Sequence, residues 1–192
     1  MRPWILRSLI ASVLAAGVGL YAYQAARQPG AVSTAPPTPE SRFLPGTPAG
    51  HLESYLMGDF AGERLERANW SFKYKDMGLW DSEPAWDSAY VIRDFRIHTG
   101  QTTMRQAEAE VTFETLGILD LQAFTYTPSP TRQTVPYLLQ AVDNRWKIAH
   151  PRLRPHVGLE AAKSYLQRMK VGYPQRAEAI DRSIRALEAE TP

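Results

Sequence analysis

Carboxylates and indole rings crowd together between residues 80 and 87, where Asp81, Glu83 and Asp87 sit beside Trp80 and Trp86. Paired carboxylates next to aromatic rings can do acid–base work if burial lifts one pKa toward neutrality. The same residues also make an ordinary solvated loop anchored by its tryptophans. Trp80, Asp81 and Trp86 are candidate ligand-binding residues, and Tyr137 joins them from an aromatic set that can line a pocket at the open end of a sheet. A second group, His150, Arg152, Arg154 and His156, flanks Pro151 and Pro155. It suggests a polar rim or an exposed basic edge. Arg145, Lys147, Arg152 and Arg154 are the candidate surface for a partner or for lipid headgroups. Two histidines with no third donor nearby do not make a metal site, and no metal or cofactor is expected. His98 before Thr99-Gly100 reads as a turn, and His51 beside Glu53 as a surface pair.

The 192 residues include no cysteine. Disulfides, cysteine-ligated zinc, a lipidated cysteine anchor and a thiol nucleophile are all excluded. No glycine-rich phosphate loop, Gly-x-Ser-x-Gly elbow or His-Glu-x-x-His is present, and no catalytic residue is assigned. The net charge of +2 matches the two arginines of the leader, Arg2 and Arg7, so the remainder is neutral. Net charge therefore gives no sign of a nucleic-acid partner. Charge is nevertheless uneven. Residues 53–120 hold 13 acids against 7 bases, whereas residues 145–170 hold 7 bases against one acid, Glu160. The two regions either pair across the fold or leave a basic patch for an acidic partner.

The elements that must position these residues follow from periodicity. Residues 1–7 form a basic n-region. Residues 8–26 are uncharged and, as a helix, would span ~28 Å, close to the ~30 Å of a bilayer core. They read as a transmembrane anchor or uncleaved signal, which places the protein in a bacterial inner membrane with its domain in the periplasm. The alternative is a secreted or periplasmic protein after signal cleavage. Residues 27–46 are a proline-rich linker. Thr47-Pro48 marks a helix start, with Leu52, Tyr55, Leu56 and Phe60 at helical spacing. Gly58-Asp59 is read as ending that helix and capping a second, which runs to about Ala68. Trp70, Phe72 and Tyr74 alternate as in a strand. Further strands are expected around residues 91–97, 107–113, 118–126 and 135–141, the third stopping at Pro128 and Pro130. Asp143-Asn144 is a hairpin turn leading to Trp146 and Ile148. Two helices close the chain, with stripes Leu159/Ala162/Leu166/Met169 and Ala177/Ile180/Ile184/Leu187, the second carrying Glu178/Arg182 and Asp181/Arg185 as i,i+4 pairs. Helices, antiparallel strands and helices in that order make an α+β fold.

The opening stretch TPAGHLESYLMGDFAGERL resembles the first helices of NTF2-like domains, and VPYLLQAVDNRWKIAHPRL resembles their closing strand pair. The resemblance covers residues 47–156 and leaves residues 157–192 as a C-terminal helical extension. It implies N-terminal helices packed in a cone of curved antiparallel sheet, with a pocket at the open end. That superfamily includes isomerases, dehydratases, ligand binders and non-catalytic adaptors, so the fold alone does not fix a function. The expectation is a membrane-anchored, non-catalytic interaction or scaffold module of the cell envelope, with an envelope protein or a second copy as its partner. The alternative is a small-ligand-binding or isomerase-like enzyme that uses the pocket.

Overall fold

A computed structural model describes residues 42–66 and 69–191. Thr47 caps the first helix, α1 (Pro48–Phe60), by accepting the Gly50 N–H on its hydroxyl, and Pro48 occupies the first turn, where no N–H is needed. The helix buries Leu52, Tyr55, Leu56 and Asp59 along one face. It runs through Gly58 and Asp59 rather than breaking there. Gly62, at φ +79°, then turns the chain into a single 3₁₀ turn, Glu63–Leu65. Ala68, where a second helix was expected to end, lies outside the described residues.

The alternation of Trp70, Phe72 and Tyr74 does not make a strand. Trp70–Tyr74 forms one π-helical turn in which Tyr74 is fully buried and Phe72 almost fully exposed. A strand would need a sheet edge to pair with, whereas Tyr74 is held by its hydroxyl on Glu63 Oε2, 2.8 Å away.

Five strands follow: β1 (Ser88–Thr102), β2 (Gln106–Asp120), β3 (Thr125–Val142), β4 (Arg145–His150) and β5 (His156–Gly158). They form one strongly curled half-barrel in the order β4-β3-β2-β1-β5, with β5 parallel to β1 and the other pairs antiparallel. Register shifts interrupt every long pairing, at Val91–Asp94, Thr115–Gly117 and Leu138–Leu139. Such bulges are what bend a sheet. The third and fourth expected strands are one element, for β3 continues straight through Pro128, Pro130 and Pro136. Over that stretch β3 has only β2 beside it, since β4 joins from Leu138 onward. Proline is tolerated where the missing N–H would have faced an open edge. The β3–β4 turn is the expected one, with Asp143 and Asn144 at φ +50° and +60°.

The sheet carries a core on each face. Tyr90, Ile92, Phe113, Val111 and Tyr137 pack with α1 on one side. Ala89, Val91, Leu119 and Val157 pack on the other with α2 (Leu159–Gly172) and α3 (Ala177–Glu188). The alternation of strand side chains assigns neighbours such as Val91 and Ile92 to opposite cores. Both C-terminal helices thus cover the sheet on the face away from α1. Their predicted stripes hold, with Ala162, Leu166, Ile180 and Leu187 fully buried. Glu178 pairs with Arg182 at 2.6 Å as expected, but Asp181 bonds Lys170 on α2 instead of Arg185. That ion pair ties the two helices together.

No helix among the described residues is long and apolar enough to cross a membrane, so none of them supplies the expected transmembrane segment. Residues 8–26, on which that expectation rested, lie outside them.

Candidate functional site

Asp59 falls one helical turn after Tyr55 and so continues the buried stripe of α1 with a carboxylate. It is 1% exposed. A carboxylate is held in such a place only by partners, and two elements supply them. Arg64, from the 3₁₀ turn after α1, donates Nη1–H to Asp59 Oδ2 at 3.0 Å. The backbone N–H of His156 on β5 donates to the same oxygen at 2.9 Å. The Nη2 of Arg64 reaches the loop before β1, donating to Glu83 Oε1 at 2.5 Å, and the carbonyl of Leu153 at 2.7 Å. Trp86 Nε1–H donates to that same Glu83 oxygen at 2.5 Å. One guanidinium therefore sits between two carboxylates and fastens α1, the loop of residues 76–87 and the segment before β5.

Aromatic rings close the cluster in. Arg64 lies over the Tyr55 ring at 5.1 Å, and Trp80 meets Tyr55 edge-on at 6.4 Å. The His156 ring stacks on Phe113 at 4.1 Å with Tyr90 at 5.0 Å. Burial sets the protonation states. Desolvation raises Asp59 from 3.8 to about 6 against the opposing pull of Arg64. Desolvation also lowers His156 from 6.5 to about 4, leaving a neutral imidazole. The Tyr55 and Tyr137 hydroxyls are pushed above their ordinary value by burial first, so both stay protonated. Arg64 remains charged, because Asp59 and its other neighbours outweigh the cost of burying it.

A carboxyl near 6 beside two protonated tyrosines has the makings of a general acid or base. Access is what it lacks. Leu52, Tyr55, Leu56, Phe113 and Asp59 are each at most 2% exposed, and none of them lines a cleft described among these residues. Around Asp59 the concave interior is occupied by these side chains.

The sequence-derived ligand residues are only partly brought together. Trp80 packs against the interior core, and Tyr137 belongs to it. Trp86 serves Glu83, and Asp81 is exposed and apart. Among the basic candidates, Arg152 donates to the Ser82 carbonyl and lies over Trp80 at 5.9 Å. Arg154 bonds Ser88 Oγ at 2.7 Å and covers Tyr90 at 5.1 Å. Both are spent inside the fold. Arg145 borders a cleft of about 400 Å³ with His51, Met77 and Trp146, and Lys147 lies close enough to His51 to lower its pKa, after burial. His51 is not the surface partner of Glu53. It bonds the Met77 carbonyl at 3.0 Å, and the buried Glu53 carboxylate accepts the Arg42 and Phe43 N–H groups. Across the acidic and basic regions, only Arg168 and Glu66 pair among the ion pairs described, while Lys163 and Lys170 pair within the C-terminal helices.

A wider cleft of about 480 Å³ lies where His98, Glu108, Glu110, Leu138 and His150 come together. Cross-strand register accounts for that grouping, since His98 faces Glu110 and Leu138 lies between Glu108 and His150. Among the described residues no three His, Asp or Glu side chains converge as a metal-ligand set.

Asp59 and Arg64 were missed in the sequence because Gly58-Asp59 looked like a helix break. The available signal was a carboxylate at a core position of the helix with an arginine five residues on. No protein-family model, curated protein or solved structure matches this chain.

Proposed function

We propose that the half-barrel is an NTF2-like domain working as a non-catalytic interaction module that docks a partner protein on its outer surface. The observation that carries this reading is the burial of the side chains around Asp59: Leu52, Tyr55, Leu56 and Phe113 are each at most 2% exposed and leave the carboxyl no described cleft to act in. Arg145 and Lys147 favour the edge of the β3–β4 hairpin as the contact, for neither is in an ion pair among the described residues, Arg145 lines the cleft that holds His51 and Trp146, and Lys147 acts electrostatically on His51. A photo-crosslinker introduced at Asn144 should capture one defined partner, and the double variant Arg145→Glu/Lys147→Glu should lose it. Undiminished capture by the charge-reversed protein would refute this placement of the contact.

A second reading, a small-ligand binder or isomerase-like enzyme, is favoured by the desolvated Asp59 next to Tyr55 and Tyr137. It requires the interior to open without global unfolding. Hydrogen exchange at Tyr137 and Leu139 distinguishes the two, because exchange only through global unfolding rules out an interior that opens separately.

A further inference from the structure

Arg64 is satisfied unevenly. Its Nη1 serves Asp59, and its Nη2 serves Glu83 and Leu153. Its Nε, which points to the same side of the guanidinium as Nη2, is buried without a hydrogen-bond partner. Glu83 is unevenly used too. Its Oε1 takes both Arg64 and Trp86, whereas Oε2 is buried and unpartnered. A guanidinium and a carboxylate fit best as a two-point fork, with parallel N–H···O bonds. Here they meet at one point, and a donor and an acceptor that could have met are both left unspent.

The two carboxylates on Arg64 also differ in how they are held. Asp59 sits in α1 with its side chain 1% exposed, and the Glu83 side chain is 10% exposed on a loop. That loop is firmly tied at both ends. Leu79 and Met77 bond the Ile148 backbone at 3.0 and 2.9 Å, and the Asp87 carbonyl accepts from Leu121 at 2.8 Å. Between these ties, the described hydrogen bonds from residues 81–86 to the rest of the protein are those of Glu83 with Arg64 and of the Ser82 carbonyl with the Arg152 side chain.

We propose that Arg64 is a carboxylate-binding site, that Glu83 occupies it as an internal stand-in, and that residues 81–86 are a lid which a small free carboxylate displaces. The incoming group would take Nε and Nη2 together, the two-point contact that Glu83 does not make. Tyr55, whose ring lies against the guanidinium, and Trp80, edge-on to Tyr55, would receive a flat or short apolar body. Asp59 keeps Nη1 and holds the guanidinium in place. This inference goes beyond the interaction reading, which concerns the outer surface. Charge reversal at Arg145 and Lys147 leaves Arg64 untouched, so the two can fail separately.

The full chain is titrated with sodium benzoate and sodium acetate at constant ionic strength, balanced with sodium chloride. Tryptophan fluorescence and its quenching by acrylamide are followed in the wild type and in Trp86→Phe, and the difference between them reports on Trp86 as the lid lifts. Saturable binding with increased quenching is expected for the wild type. Glu83→Gln keeps the shape of the stand-in but removes its charge, so it should bind benzoate at least ~10-fold more tightly, because the ligand no longer competes with an internal carboxylate. Arg64→Lys should lose most of that gain, since an ammonium has no fork to offer. Equal affinity in wild type and Glu83→Gln, or no saturable response in either, overturns the proposal. A response to a glutamate-bearing peptide with none to benzoate or acetate would assign Arg64 to a protein partner and also overturns it.

Discussion

Asp59 and His156 should mask each other's pH dependence, and separating them would reveal two opposite slopes. Stability changes with pH as the difference between protons bound in the unfolded and the native state. Asp59 rises on folding from 3.8 to about 6, so between these values the native protein holds a proton that the unfolded chain has released. Its contribution is complete below 3.8 and disappears as pH climbs through about 6. His156 falls on folding from 6.5 to about 4, so over nearly the same interval the unfolded chain holds a proton that the native protein lacks. Its contribution is complete above 6.5 and disappears as pH drops through about 4. At roughly 1.4 kcal/mol per pH unit, each group alone is worth about 3 kcal/mol across that window. Together they cancel, one proton against one proton. Wild type should owe no slope to this pair between pH 4 and 6. Asp59→Asn should gain about 3 kcal/mol relative to wild type as pH rises over that range, and His156→Gln should lose about as much. The double variant should parallel the wild type again. Urea unfolding followed by tryptophan fluorescence at pH 4, 5 and 6 measures all four proteins. Comparison with wild type at each pH removes the background of surface carboxylates. Single variants that both track the wild type to within about 1 kcal/mol would mean that the cluster is not sealed from water.

Further substitutions probe the framework of the fold. A methyl group at Gly58 would run into the Tyr74 hydroxyl, so Gly58→Ala should cost about 1–3 kcal/mol in urea unfolding, part of which Tyr74→Phe should restore. Ser183 Oγ accepts the buried Tyr126 N–H at 3.0 Å from the middle of α3; Ser183→Ala should cost about 1–3 kcal/mol and speed exchange of the Tyr126 amide. Asn144 stands at φ +60°, so Asn144→Gly should be neutral or stabilising, while Asn144→Val should lose at least about 1 kcal/mol in thermal unfolding.

Elements whose side chains split into one wet and one dry face were legible in the sequence. β1, β2 and the C-terminal part of β3 each bury every second residue over part of their length, and the stripes of α2 and α3 recur at helical spacing. The Thr47-Pro48 start and the Asp143-Asn144 turn were legible because each backbone geometry favours a particular residue type. Where reading failed, the deciding fact was a neighbour. Pro128 and Pro130 stop a central strand, but not one whose second edge is open. Trp70, Phe72 and Tyr74 have strand spacing, yet no sheet edge receives them. Covering the sheet from the face away from α1 is likewise a tertiary fact, which periodicity within α2 and α3 does not encode.

The candidate site obeys the same division more sharply. Glu83 and Trp86 drew notice by their types, and Glu83 does act on the site, but through an arginine 19 residues earlier. Asp59 and Arg64 did not draw notice, because a carboxylate after a glycine at the end of a helical stretch has the signature of a cap. Their partnership also needs His156, 97 residues from Asp59, to bring a backbone N–H to the same oxygen. Residue types thus disclosed which groups could ionise, and the curl of the sheet decided which of them would lose their water. A buried ion cluster with two carboxylates, one guanidinium and unspent hydrogen-bonding atoms costs stability that an apolar core of equal volume would not. Its presence among buried apolar side chains therefore favours Arg64 as the place where this protein responds to a ligand, with Glu83→Gln as the substitution that separates a response from mere architecture.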